Sequence, residues 1–578
     1  MISLVELLKV DMSRSVQTPA VSTRTIDRFF GMVSDRSGVE LEENEFTDLT
    51  NYRVDYLRRL KVRNGAKKFN GLTHTGSANP VLGLDRFVAE DASVFDLKIV
   101  NTVLYKSDDG AAWASLQTGL TAANTFFAST LTKKTGAAAD ETDTVDSSSA
   151  TTVTATSLAM TIGEHVNKIL VINNENKRIV ANTATKITVG ERFEVTPSSG
   201  DSFTVVDSQK EVFFANGTNF FKSDGTTNTQ LDNSVYAYAF DGVTEHMSRL
   251  WGWKDQTVYY SDIGVGEHYS RNALFGFGSN VQVAKPMGDV IVFWEANRVT
   301  AIEGDNPDNF RQIPASSNRG TTAPFSVATW NNMQFGLNED VGVMIITASE
   351  INPGGPEPVS VSDEYITVEM LAHTTAELDA ACAEVADSKY HITIGTDKYT
   401  LHIRESFKAP RDDAGNIRWI WTKDDYPTGL DANVMRLLGT QLAVGSDADG
   451  QIYEYDADSQ FDDDGTVIAG TIEKQDWRPR KEESQIFFWS LKVRQTIAAA
   501  ALNMNYFADP DGTTYGSAIQ TIDINAASSN LHEVKFTSNP NDEKAKGNTI
   551  SYKITSSTSI TVPAIEEIHL LYVPNPVG

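Results

Sequence analysis

The chain has 578 residues, of which 40% are apolar and 22% are charged, and its net charge is −28. Its length predicts two to four domains, because a single hydrophobic core stops growing well below this size. The composition is that of an ordinary folded protein and excludes a disordered chain. No apolar run reaches the length of about eighteen residues that a spanning helix needs, so we expect no membrane insertion. Cys382 is the only cysteine, which excludes a disulfide within the chain.

The acidic balance bears on contacts with nucleic acid. With 49 basic and 77 acidic residues, the chain is not expected to hold a phosphate backbone over a broad surface, which requires clustered Lys and Arg. The negative charge either keeps the protein soluble or forms the wall of a conduit that repels DNA and lets it slide without adhering. The first residues, MISLVELLKVDMSRS, lack the features of a secretory signal, so we expect assembly in the cytoplasm.

Short segments rich in Val, Ile, Phe, Tyr and Trp, separated by Asn-Gly, Asp-Gly and Gly-Asp turns, predict an all-β fold. One unit recurs: an apolar strand, a tight polar turn and a second strand rich in aromatic residues. Turns of this kind accept positive φ and match the twist of paired strands, so each unit predicts a hairpin. The units lie at Leu97–Tyr105, Val212–Phe221, Arg249–Tyr260, Val290–Ile302, Met333–Ile346, Tyr390–Ile403 and Arg436–Tyr455.

Hairpins at an irregular spacing near forty residues favour a β-propeller of six or seven blades, whose faces are buried only against their neighbours. A stack of β-sandwiches is the alternative. Helical periodicity is scarce, and its best example is Val368–Val385, with a second turn predicted to start at Thr374–Thr375. The residues on its apolar face are Met370, Leu371, Leu378, Cys382 and Val385.

Two segments depart from the blade pattern. Residues 129–207 turn rich in Ser, Thr and Ala and then alternate apolar and polar residues, which predicts a small β domain inserted as a lid or decoration on the second blade. After residue 467, strands ten to fifteen residues apart predict a C-terminal β-sandwich over 468–578. The remaining units are an N-terminal arm, 1–70, and a propeller formed by 71–128 and 208–467.

The strongest hint of a metal site is an acidic turn. Asp447 and Asp449 begin a run without Lys or Arg between Gly445 and Ile472, and Ca²⁺ needs several carboxylates at short range. Gly450 comes too early for a helical calcium loop, however, so a solvated hairpin turn is the favoured interpretation. Without a nucleophile elbow, Walker loop or dinucleotide-binding loop, we predict no catalytic residue and no cofactor.

Carbohydrate chemistry is the alternative that the sequence leaves open. Glycoside hydrolysis needs two carboxylates at a set separation, and Glu295 and the pair Asp424-Asp425 follow aromatic runs. Tryptophan side chains fit a sugar-stacking surface or, as we favour, the cores of blades. They are Trp251, Trp253, Trp294, Trp419 and Trp421.

The most informative stretch runs from Phe30 to Gly71. It has a Phe-Gly start, an acidic segment Leu41–Glu45, then Asn51-Tyr52-Arg53 and Leu60-Lys61-Val62-Arg63-Asn64-Gly65. This order resembles the opening of tail proteins of tailed bacteriophages, in particular the nozzle and packaged-DNA stabilisation (tail tubular) proteins of short-tailed phages. Arg58-Arg59 stands where the typical glycine would be. The end of the inserted segment, Pro197 to Gly200-Asp201-Ser202-Phe203, is similar to a β module of many phage tail proteins.

This resemblance implies a structural protein without enzymatic activity. It would form a ring, hexameric by expectation, in the virion below the portal and head–tail adaptor, where it would contact other tail proteins. The ring would surround double-stranded DNA without sequence specificity and help to retain or release it. The resemblance assigns Asn51, Arg53, Leu60, Arg63 and Gly65 to the motif and to assembly. The basic clusters at 58–63 with 67–68 and at 478–481 are expected to face an acidic neighbouring subunit and not DNA. A tail-associated carbohydrate-binding or polysaccharide-degrading propeller is the alternative function.

Overall fold

The computed structural model describes residues 22–574 with short gaps. The gaps are 27, 38–39, 56, 77, 135, 232–237, 352–356, 413, 428, 459, 461, 478–485, 497–499, 509–519, 525–530, 538–545, 548–549 and 559–563. Between residues 476 and 550 only the backbone of the strands is described.

The N-terminal region contributes five short strands before the first complete blade. They are β1 (Ser22–Ile26), β2 (Asp48–Thr50), β3 (Tyr52–Val54), β4 (Leu60–Val62) and β5 (Lys67–Lys68). A turn of 3-10 helix at Phe69–Gly71 follows. Blade 1 is then an antiparallel meander of β6 (Val81–Val88), β7 (Val94–Val100), β8 (Val103–Asp108) and β9 (Ala114–Thr118).

Blade 2 is interrupted by the insertion. Its inner strand β10 (Phe126–Lys133) leads into seven strands that surround an apolar core of their own. These are β11 (Ala139–Thr144), β12 (Ser147–Ser149), β13 (Thr152–Thr154), β14 (Ile169–Ile172), β15 (Glu175–Asn182), β16 (Lys186–Val189) and β17 (Ser202–Val206). The chain returns to blade 2 in β18 (Ser208–Ala215), β19 (Phe220–Ser223) and β20 (Asn228–Gln230). Lys133 pairs with Ser208, so the insertion leaves and rejoins the blade at adjacent positions.

Blades 3, 4 and 5 are uninterrupted four-stranded meanders. Their strands are β21 (Gly242–His246), β22 (Arg249–Lys254), β23 (Thr257–Asp262) and β24 (Val265–Gly276); β25 (Val281–Met287), β26 (Val290–Glu295), β27 (Val299–Glu303) and β28 (Arg311–Ser316); and β29 (Ala328–Trp330), β30 (Met333–Asn338), β31 (Gly342–Thr347) and β32 (Val359–Ser360).

The last two blades complete the circle. Helices α1 (Thr367–Leu371) and α2 (Thr375–Asp379) precede blade 6, which consists of β33 (Cys382–Ala386), β34 (Lys389–Ile394), β35 (Asp397–His402) and β36 (Trp421–Asp424), with helix α3 (Ile403–Lys408) before its last strand. Blade 7 consists of β37 (Ala432–Leu438), β38 (Gln441–Ser446) and β39 (Ile452–Tyr455). Its fourth strand is β5 from the N-terminal region.

These units form a closed propeller. The inner strands β6, β10, β21, β25, β29, β33 and β37 contact one another in this order, and β37 contacts β6. Six of the blades are separate four-stranded sheets. The seventh member of the circle is blade 6, the four strands β33–β36, which is part of a ten-stranded sheet because β36 pairs with β2. Aromatic residues fill the blade interfaces; for example, Trp251 and Trp253 pack with Phe293 of the next blade. The predicted all-β propeller with its inserted β domain is confirmed.

The helix predicted over Val368–Val385 is confirmed only in part. Only α1 and α2, of five residues each, are helical there, and the end of the segment is the inner strand β33. Thr374 and Glu377 form a capping box that starts α2, at the position where the sequence predicted a second turn. Strand β33 pairs along its length with β34, and this pairing overrides the local helical pattern.

The two chain ends share their sheets. The C-terminal strands are β40 (Asp462–Asp463), β41 (Thr466–Trp477), β42 (Ile486–Thr496), β43 (Ala500–Ala508), β44 (Gln520–Ile524), β45 (Leu531–Thr537), β46 (Lys546–Gly547), β47 (Ile550–Thr558) and β48 (Ala564–Pro574). One sheet has the order β3-β4-β48-β42-β45, with β1 on β48 and β46 on β42. The other extends blade 6 in the order β36-β2-β41-β47-β43-β44.

The domain boundaries therefore differ from the predicted ones in three places. Residues 129–133 belong to the inner strand β10 and not to the insertion. The arm 1–70 is not a separate unit, because β5 completes blade 7 and β1 to β4 pair with strands that include β48 and β41. Residues 468–578 likewise share their sheets and one core with the N-terminal strands. The apolar residues described at both ends bury each other in this core. Of the helices in the described ranges, none has the length and apolarity to cross a bilayer.

Candidate functional site

The N-terminal motif lies where the chain ends meet blades 6 and 7. Asn51 is buried in the left-handed backbone region, with φ of 60°. Its amide Nδ2 donates to the carbonyl oxygen of Ala469 at 2.6 Å, and its Oδ1 accepts from Arg63 Nε and from the backbone N–H of Asp425, both at 2.8 Å. One side chain thus connects the motif, the C-terminal strand β41 and the segment after blade 6.

Arg53 joins blades 6 and 7. Its guanidinium forms a bidentate pair with Asp424, at the end of β36, and its Nε lies 3.4 Å from Oδ2 of Asp456, just after β39. Burial acts to raise the pKa of Asp424, but the Arg53 cation holds that pKa below its ordinary value. Burial opposes ionisation of Asp456 as well, and Lys389 and Arg53 keep its pKa low. Both carboxyl groups are therefore ionised at neutral pH.

Arg63 has no solvent-exposed side-chain surface. Its two Nη atoms donate to the carboxylate of Asp463 at 2.8 and 2.6 Å, and Nη2 also donates to the carbonyl oxygen of Asp425 at 2.9 Å. Its guanidinium carbon lies 3.6 Å from the centre of the Tyr426 ring. We call Arg53, Arg63, Asp424, Asp456 and Asp463 the N-terminal cluster.

The other two motif residues act through packing. Leu60 is fully buried in the shared core, and its strand pairs with Ile565 of β48. The Gly65 N–H donates to the carbonyl oxygen of Gln460 at 2.9 Å, and a Cβ atom at this position would overlap the backbone carbonyl of Asp462. Gly65 is therefore required by close approach of the backbone.

Several residues of the basic clusters beside the motif bind acids of the same chain. Arg59 pairs with Asp55 at 2.7 Å, Lys67 with Glu454 at 3.3 Å and Lys68 with Asp464 at 3.6 Å. These ion pairs compensate part of the positive charge, and the contact with a neighbouring subunit stays a prediction. The third basic cluster, 478–481, lies outside the described residues.

Asp447 and Asp449 lie in the turn between β38 and β39. Asp449 Oδ1 accepts the backbone N–H of Gln451 at 2.9 Å, and Lys98 of blade 1 donates to the carbonyl oxygen of Gly450 at 2.8 Å. Among the residues that the structure describes, no group of three His, Cys, Asp or Glu is placed to hold a metal ion. The geometry is that of a hairpin turn bound to the first blade.

The tryptophans considered for sugar stacking are core residues. Trp251, Trp253, Trp294 and Trp421 are buried almost completely, and Trp419 is 8% exposed. Glu295 is also buried, and its carboxylate accepts the N–H groups of Gly278 and Ser279 and the hydroxyl of Thr300. Neither these rings nor Glu295 form an open catalytic surface.

The channel of the propeller is closed to DNA. The rings of Phe126 and Phe325 stack across it with centroids 4.6 Å apart. The cavity beside them has a volume of about 490 Å³. A duplex whose major groove alone is about 12 Å wide does not fit such a space.

The net charge is confined to one part of the chain. Residues 72–467 contain 27 basic and 55 acidic residues, a net charge of −28, whereas 1–71 and 468–578 together contain 22 of each sign. The propeller and its insertion therefore carry the whole excess, and the two chain ends are neutral. The electrostatic repulsion of other anions is therefore concentrated on the blades and the insertion.

The arrangement defines a β-propeller protein whose two chain ends form one further β region. No family model and no curated protein matches the sequence. Solved structures that resemble it include virginiamycin B lyase from Staphylococcus aureus, at 9% identity and a TM-score of 0.34 over 68% of this chain and 97% of that one. YCF48 bound to a D1 peptide matches at 9% identity and a TM-score of 0.34, over 68% and 96%. An ancestral GH74 enzyme matches at 10% and 0.33, over 71% and 50%. Likenesses this distant carry no inference about activity.

Proposed function

We propose that this protein is a structural subunit of a phage tail, a nozzle or hub ring that surrounds the path of the genome and helps to retain or release it. The observation that carries the proposal is the N-terminal motif. Its order resembles that of phage nozzle proteins, and its polar residues bind both chain ends to blades 6 and 7. A subunit that transmits force between rings needs such a rigid connection between its parts.

The distribution of charge supports the same function. Acidic blades repel the phosphate backbone, so a lumen lined by them would let DNA slide without adhering. The neutral chain ends are free of this repulsion and are the part of the chain better suited to contacts between copies. The closed propeller channel is consistent with a DNA path between subunits. In this role the protein makes and breaks no covalent bond.

Mass photometry and electron microscopy of the purified chain test the proposal, with and without a portal–adaptor complex. We expect closed rings, hexameric by expectation, either alone or on the connector. Mass spectrometry of purified phage particles should find the chain in ring stoichiometry to the portal. A protein that stays monomeric in both mixtures and is absent from particles would refute a nozzle function.

A further inference from the structure

The central cavity of the propeller has a lining that the structural function does not use. Charged side chains reach it from five of the seven inner strands, and their signs are mixed. Asp85, Glu245 and Glu384 supply carboxylates, and Lys285 and Arg436 supply cations. Charged residues are costly at the centre of a fold unless they are paired or serve a ligand.

The pairing among these groups is incomplete. Arg436 binds Asp85 through Nε at 3.2 Å and Nη2 at 3.1 Å, and its Nη1 lies 4.0 Å from Glu384. Within the described residues, by contrast, the Lys285 ammonium makes no hydrogen bond or ion pair, although three N–H donors are available. Burial and the nearby Arg436 lower the pKa of Lys285 to about 8, so the ammonium is still charged at neutral pH.

The cavity has an aromatic floor and an open rim. Phe126 and Phe325 lie before or at the beginning of their inner strands and stack on each other. The charged residues lie further along the strands, and the Arg436 side chain is 35% exposed, so this end reaches solvent. A volume of about 490 Å³ is in the range of small-molecule sites.

The insertion stands beside the same rim. It begins just after Lys133, four residues beyond Ser129, which lines the cavity. Lys177 of the insertion binds Asp262 of blade 3 at 2.8 Å, and Glu191 pairs with the buried Arg249. The insertion is thereby fixed on blade 3 near the end at which the cavity opens.

We propose that this cavity binds a neutral mono- or disaccharide. A monoanion would meet the three carboxylates, and a monocation would meet Lys285 and Arg436. Sugar hydroxyls both donate and accept, so they can bind carboxylates and cations together without introducing an unpaired charge. The apolar face of a pyranose ring can rest on the phenyl floor. Saccharide binding in this cavity does not depend on the assembly of subunits into a ring and involves no catalytic step.

Saturation-transfer NMR and calorimetry on the full chain test this proposal with glucose, galactose, N-acetylglucosamine and lactose. Inorganic phosphate and ethylamine serve as the anion and cation probes. We expect at least one saccharide to bind with a dissociation constant in the millimolar range or tighter. Lys285→Met and Glu384→Gln should each weaken this binding at least tenfold, because each leaves a partner hydroxyl unsatisfied.

Matched controls are Lys186→Met and Glu339→Gln, which change exposed residues outside the cavity and should leave binding unchanged. Near-UV circular dichroism verifies that each variant is folded, and Glu245→Gln replaces any variant that is not. Binding of phosphate or ethylamine in place of sugars would overturn the proposal. So would the absence of saccharide binding, or binding that the cavity variants leave intact.

Discussion

Replacing Arg63 by methionine tests whether the N-terminal cluster holds the chain ends against the propeller. The Asp463 side chain is only 2% exposed, and the substitution removes both guanidinium donors from its carboxylate. Removing one partner of a buried ion pair costs about 3–5 kcal/mol, because the remaining charge is left uncompensated. At about 1.36 kcal/mol per decade, this cost is a change of roughly 10² to 10⁴ in a local opening equilibrium.

Hydrogen-exchange mass spectrometry measures such an equilibrium segment by segment. We expect protection in β36 and around β40 to fall by that factor, whereas β26 and β27 of blade 4 keep theirs. The double variant Arg63→Met/Asp463→Asn should recover much of the loss, because the buried charge is gone while the carboxamide oxygen can still accept the Ala66 N–H.

Arg311→Met is the matched control. Arg311 pairs with Glu303 on the surface, where its side chain is 66% exposed, so the expected cost is about 0–1 kcal/mol. If Arg63→Met changes protection less than tenfold, or no more than Arg311→Met does, the cluster is not what binds the chain ends to the blades.

Three further predictions concern other parts of the chain. Gly65→Ala should lower the unfolding midpoint and reduce the free energy of unfolding by about 1–3 kcal/mol or more, because its Cβ would overlap the backbone of Asp462. The control Gly276→Ala places no heavy atom within 4 Å of the new Cβ and should change the midpoint little. Equal effects of the two substitutions would refute this reasoning. Burial lowers the pKa of Lys98 from 10.5 to about 7, so between these pH values the unfolded chain binds more protons and stability rises with pH. Lys98→Met should reduce the increase of the unfolding free energy with pH by up to about 1.4 kcal/mol per pH unit. The unfolding free energy is measured from urea denaturation at pH 7, 8 and 9. An unchanged dependence on pH would contradict the lowered pKa of Lys98. Replacing residues 134–207 by a two-residue turn should leave a folded propeller by circular dichroism, because Lys133 and Ser208 already pair; global unfolding would show that the insertion is part of the core.

Much of the propeller was predictable because its blades are local. Each of the seven hairpins proposed from the sequence corresponds to strands of one blade, from β7–β8 of blade 1 to β37–β39 of blade 7. A hairpin is specified by alternating residues and a turn that are adjacent in the sequence. The helix predicted over Val368–Val385 shows the limit: its first part contains α1 and α2, but pairing with β34 makes its last residues a strand.

The site was predictable only in part, because its partners are far apart in the chain. The motif residues Asn51, Arg53 and Arg63 were selected by their order, but Asp424 lies 371 residues from Arg53 and Asp463 lies 400 residues from Arg63. No local pattern distinguishes these two carboxylates among 77 acidic residues. For the cavity a signal did exist: Asp85, Lys285 and Arg436 are charged residues inside mostly apolar inner strands.

The seam between the first and last blades connects these observations. Strand β5 closes blade 7 with only two residues, paired with Tyr453 and Glu454, so its ladder contributes little to ring closure. Direct contacts between blades 7 and 1 supplement it: Asn433 donates to the Val81 carbonyl oxygen at 2.7 Å, and Arg436 binds Asp85. The latter pair also lines the central cavity. A ligand that engages Arg436 and Asp85 together therefore bridges the position at which the circle is closed. If it binds only the closed ring, it stabilises that ring by RT ln(1 + [L]/Kd).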